Sequence, residues 1–107
     1  MASFSVRCIF RWEPRPDQAR RHLYEERITL WRAKDIDEAI ALAEVEACSY
    51  ASDSGVHYLE FCQAYALVED LQGSAIEVFS LLRESDLEPT QYLEAFFDTG
   101  TERERAV

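Results

Sequence analysis

Three features of the sequence predict an α+β fold, a four-stranded, antiparallel-rich sheet in β-β-α-β-β-α order with helices packed on it. Phe4, Val6, Cys8, Phe10 and Trp12 alternate with Ser5, Arg7, Ile9 and Arg11, the period of two of a half-buried strand. From Tyr24 to Tyr50 the run YEERITLWRAKDIDEAIALAEVEACSY passes from a strand-like stretch into a helical one at Asp35. His57 to Glu69 carries apolar residues on both faces, which predicts a central strand covered on two sides.

The first strand, with its even-numbered side inward, stops at Glu13-Pro14-Arg15-Pro16-Asp17, because two prolines cannot continue a ladder. The polar connection to about His22 is long for a hairpin and is expected to be mobile. The second strand, Leu23 to Ala33, returns antiparallel, so that Arg7 and Arg11 meet Glu25 or Glu26. The helix runs from about Asp35 to Ala51. Asp35 is its cap, Glu38 closes a capping box, and Ile36, Ile40, Ala43, Ala47 and Tyr50 form the buried stripe. Leu42 and Val45 lie nearly opposite that stripe and are expected to be exposed.

Ser52 to Gly55 reads as a turn and Asp70 to Ser74 as another. In the two-faced strand Leu59, Phe61, Tyr65 and Leu67 share one face, and Tyr58, Cys62, Ala64, Ala66 and Val68 the other. A fourth strand spans Ala75 to Arg83, with Ile76 and Val78 opposed to Phe79 and Leu81. A final helix begins near Pro89, buries Tyr92, Leu93, Phe96 and Phe97, and ends near Gly100, leaving residues 100–107 as a frayed tail. The predicted core is Val6, Cys8, Phe10, Ile28, Leu30, Ile40, Ala43, Ala47, Phe61 and Leu67.

Charge separates the functional classes. The net charge is −10, yet residues 1–34 carry eight basic against four acidic side chains, and no Lys or Arg lies between Lys34 and Arg83. Such acidity disfavours nucleic acid and anionic membranes and suits a basic protein partner. No apolar run approaches the roughly 20 residues of a membrane span, and MASFSVRCIFRW reads as a strand rather than a signal peptide. Cys8, Cys48 and Cys62 have no metal-ligand spacing and read as reduced thiols of a cytoplasmic protein.

No catalytic signature emerges. His57 and Cys62, five apart on a strand, point to opposite faces and cannot act as base and nucleophile. Glu25 and Glu26 diverge for the same reason. Three glycines make no phosphate loop. The stretches SVRCIFRWE, YEERITLWRAKDIDEAIALAEVEA, YLEFCQAYALVED and EVFSLLRES resemble an uncharacterised family of small bacterial proteins of unknown function, over roughly Ser5 to Leu87. The resemblance implies a bacterial source and a compact α+β fold, with no catalytic residue to carry over. The length of the chain predicts a single domain over residues 1–107, and no metal or cofactor is expected from its residues.

Two functions are expected on this basis. The first is a non-catalytic, immunity-like or accessory interaction module, a homodimer that presents Asp37, Glu38, Leu42, Glu44, Val45 and Glu46 to a basic partner. The alternative is a small-molecule-binding or substrate-handling domain with a pocket lined by Tyr24, Arg27, Trp31, Tyr58 and Tyr65.

Overall fold

The computed structural model describes residues 1–67 and 74–97. Four strands, β1 (Ala2–Trp12), β2 (His22–Ala33), β3 (His57–Ala66) and β4 (Ile76–Ser85), and two helices, α1 (Ile36–Ser54) and α2 (Pro89–Phe96), follow in the order β1-β2-α1-β3-β4-α2. The strands form one antiparallel sheet in spatial order β3-β1-β2-β4. The hairpin β1–β2 is therefore central, with Cys8 opposite Arg27 and Phe10 opposite Glu25.

Placing β3 at an edge corrects the expectation that it is central. Its two apolar faces arise because each of the two helices covers part of it. Cys62 and Ala64 join the core beneath α1, while Phe61 joins Ile9, Tyr24, Tyr92 and Phe97 beneath α2. Where neither helix reaches, Tyr65 and Ala66 are exposed. The same two-sided cover buries Ile9 fully, so β1 is not the half-buried strand its alternation suggests. Opposite Ile9 the register of β3 shifts, and Glu60 turns into the left-handed region at φ 56°. A non-glycine residue there is strained, and the bulge blunts this edge of the sheet.

Asp35 caps α1 by accepting from the Glu38 backbone N–H at 2.8 Å. Glu38 reaches back one residue further than a simple capping box, to the Lys34 N–H at 3.0 Å. The helix buries Ala39, Ile40, Ala43, Ala47 and Ala51 against the sheet, a stripe of small residues that lets it lie close. It continues through the predicted turn at Ser52 and ends at Gly55, whose φ of 69° a side chain would strain.

The loop from Glu13 to Arg21 is anchored rather than free. Glu84 accepts from the N–H groups of Ala19 and Arg20, both at 2.8 Å. Asp86 takes the Arg20 guanidinium and the Arg21 N–H, each at 3.1 Å. Glu88 pairs with Arg21 and with His22. The hydrogen bond from the Arg21 N–H holds the Asp86 carboxyl below its ordinary range, and His22 does the same for Glu88.

Seven of the ten predicted core residues are buried; Ile28, Leu30 and Leu67 are half-buried. Ile28 and Leu30 lie on the sheet face that α2 covers only at one end. Phe96, predicted to be buried, is 50% exposed because it lies on the outer side of that short helix, while Phe97 is buried. In β4 the pairing shifts between Phe79 and Glu77, so simple alternation fails there. The expected turn over 70–74 falls largely, and the helix end and tail beyond residue 97 wholly, outside the described residues.

Two stability measurements check this packing. Ile40→Ala is expected to cost about 2–5 kcal/mol by leaving a cavity under α1, and a thermal melt reads it. Asp35→Ala is expected to cost about 0.5–2 kcal/mol through loss of the cap, seen as a lower denaturant midpoint with unchanged slope.

Candidate functional site

The alternation of β2 sends Glu25, Arg27 and Thr29 to the α1 side of the sheet, where all three are buried. Arg27 grips Glu46 of α1 through both terminal nitrogens, at 2.6 and 2.9 Å, and reaches Glu77 of β4 through Nε at 2.5 Å. Its guanidinium also lies 3.9 Å from the centre of the Tyr50 ring. Burial opposes its charge, but the two carboxylates outweigh that and hold its pKa above the usual value. Glu25 accepts from the Tyr50 hydroxyl at 2.8 Å, from Trp12 Nε1 at 3.0 Å and from the Ser80 hydroxyl. Burial first, and then Glu25, push Tyr50 up to about 12.

This network offers a ligand little. Glu25 takes three donors, and the guanidinium of Arg27 is held on two carboxylates. It joins three elements rather than opening toward a reacting atom. Behind it, Tyr58 donates to Glu44 at 2.5 Å, and burial raises the Tyr58 hydroxyl far above its normal range. Cys8 lies directly across from Cys62, and the hydrogen bond between them and their burial push the Cys8 thiol up. Raised thiols are poor nucleophiles. Two cysteines 54 positions apart in sequence show no spacing signal; only the register of β1 and β3 brings them together.

The five candidate pocket residues do not converge. Arg27, Trp31 and Tyr58 lie on the α1 side, where Trp31 Nε1 donates to the Thr29 hydroxyl at 2.6 Å. Tyr24 and Tyr65 lie on the opposite side, Tyr24 by the alternation of β2 and Tyr65 by its register opposite Ser5, in the regular part of β3 beyond the bulge. Tyr24 is buried, stacked on Tyr92 at 4.0 Å, and donates to the Leu87 carbonyl at 2.8 Å; burial pushes it up to about 12. Arg83 donates to the Tyr92 hydroxyl at 3.1 Å. Two open clefts lie instead around the first loop: one of about 200 Å³ beside Arg11, Trp12, Pro14 and His22, and one of about 290 Å³ beside Gln18, Leu23 and Leu82.

The acidic helix surface also needs correction. Glu38 serves the cap, Glu44 binds Tyr58 and Glu46 binds Arg27, so these carboxylates turn back into the protein. Asp37 remains exposed at the first turn. Leu42 and Val45 do face outward, at 41% and 73% exposure, beside exposed Ala41, Cys48, Ser49 and Ser52. The outward strip of α1 is thus uncharged along its middle, because the polar network beneath takes up the flanking carboxylates.

Sequence reasoning missed the outer edge of β4. Phe79 and Leu81 on the α2 side and Leu82 on the α1 side are 43%, 36% and 37% exposed, and no strand among the described residues pairs beyond them. The signal was present in IEVFSLL, an apolar run with neither Lys nor Pro, but its position at an edge was not. His57 lies exposed opposite Arg11, away from Cys62, and no group of three His, Cys, Asp or Glu among the described residues could hold a metal. No described helix is long and apolar enough to cross a membrane. No family model, curated protein or solved structure matches the chain.

The network generates two expectations. Tyr50→Phe removes a donor from buried Glu25 and is expected to cost about 1–3 kcal/mol, measured by denaturant unfolding. Because the folded pKa values of Tyr24 and Tyr50 are raised from 10.0 to about 12, their contribution to stability is complete below pH 10 and is lost as pH rises toward 12. Titration of tyrosinate absorbance is expected to show Tyr24 and Tyr50 ionising above the ordinary tyrosine value of 10.0.

Proposed function

We propose that the chain is a non-catalytic protein-interaction module that docks a partner strand along the outer edge of β4. What supports this reading is one observation above the others: β4 is an edge strand among the described residues, with large apolar side chains exposed on both faces, and from Phe79 to Leu82 no charge, proline or bulge interrupts it. Strand addition satisfies the free main-chain groups, and the alternating apolar side chains supply specificity. The net charge of −10 favours a protein partner, a basic one included, over a phosphate backbone. The small-molecule alternative loses its support with the division of its five residues between two sheet faces. An accessory or immunity-like role agrees with this reading by analogy alone.

The test is affinity capture from the extract of the source cell with the intact chain, Leu81→Glu and Val45→Glu. Proteins retained by the intact chain and by Val45→Glu, but lost with Leu81→Glu, are expected. Retention equal for all three, or none at all, overturns a β4 docking edge.

A further inference from the structure

We infer that the occupant of the β4 edge is a second copy of this chain, paired antiparallel about a two-fold axis through Leu81. The inference rests on the reading of β4 as a docking edge and names its partner. A two-fold axis normal to a sheet requires one residue to face its own copy. The pairing of β4 with β2 is regular from Phe79 to Ser85 and shifts only before Phe79. Centring on Leu81 therefore keeps the ladder from Phe79 to Arg83 clear of the irregularity. It also places Phe79, Leu81 and Leu82, the exposed apolar residues among the described side chains of β4, within two positions of the axis.

Cross-strand partners in this register are chemically compatible. Leu81 meets Leu81 of the copy on the α2 side, and Phe79 meets Arg83, whose guanidinium already lies 5.1 Å from the Phe96 ring centre. On the α1 side Ser80 meets Leu82. No acidic residue stands directly opposite another. Glu77 and Glu84 are engaged within their own chain, by Arg27 and by the loop amides of Ala19 and Arg20. Shifting the centre to Leu82 would set Leu81 against Arg83 and Ser80 against Glu84. Shifting it to Ser80 would leave only three residues of regular ladder. The other edge, β3, carries the strained bulge at Glu60 and offers no comparable run.

Charge adds a signature that separates this partner from a basic one. Two copies of net charge −10 repel, so self-association tightens as salt screens them, whereas a complex with a basic protein weakens.

Light scattering on the full chain at micromolar to tens of micromolar concentration is expected to show a mass rising from 12.4 kDa toward twice that value, and rising further with added salt. Leu81→Lys is expected to return it to 12.4 kDa with an unchanged circular dichroism spectrum. Phe79→Lys repeats the test should Leu81→Lys lose its fold. For the register, Leu81→Cys in a Cys48→Ser background is expected to form a disulfide-linked dimer with oxidised glutathione, while Ser80→Cys, Leu82→Cys and Val45→Cys in the same background form little. A mass fixed at 12.4 kDa overturns the inference, as does a dimer that survives Leu81→Lys or cross-links best through Val45→Cys. A monomer whose captured proteins still vanish with Leu81→Glu overturns self-pairing and leaves the docking edge standing.

Discussion

Arg27 is the residue on which the α1 side of the sheet depends. It sits on a central strand and is 8% exposed, and it reaches α1 through Glu46 and β4 through Glu77. One guanidinium thus binds the helix and the edge strand to the same point. Glu25, two residues away on the same face, ties in the Tyr50 and Trp12 side chains and Ser80 of β4. Burying these charges costs desolvation energy that their pairing offsets, so their main effect is on geometry. A slip of β2 by one residue would leave a buried guanidinium and a buried carboxylate without partners.

The opposite face is governed by the size of α2. Eight residues close one end of the sheet through Tyr92 and, just past the helix, Phe97, while Ile28 and Leu30 stay half-buried. An uneven lid leaves the two edges in different conditions. At β3 a bulge interrupts the ladder. At β4 the run from Phe79 to Ser85 stays regular and apolar at its centre. The asymmetry, more than any individual side chain, makes β4 the surface to which a functional reading attaches.

The acidic surplus serves the fold in two places. At the first loop, Glu84, Asp86 and Glu88 receive the backbone and the arginines of residues 19–21, which draws a polar connection onto the end of β4. Along α1, Glu44 and Glu46 satisfy a half-buried tyrosine and a buried arginine. Much of what composition presents as a charged surface is internal bonding, which is why the outward strip of α1 is uncharged at Leu42 and Val45.

Local physics decided the elements. Alternation in β1, the cap at Asp35, the alanine-rich stripe of α1 and the proline at the start of α2 act over a few residues, and all were legible. So was the outward placement of Leu42 and Val45, which follows from helical geometry. Strand order was not legible, because the apolar pattern of β3 records cover by helices and says nothing of neighbouring strands. The facing of Cys8 and Cys62, the attachment of Glu46 to Arg27 and the exposure of Phe79 depend on pairs of residues far apart in the chain. By itself the sequence determined which segments pleat, which coil and which side chains share a face. Only the tertiary structure decided which faces meet and which edge stays open, since these follow from the cover two unequal helices can give one sheet.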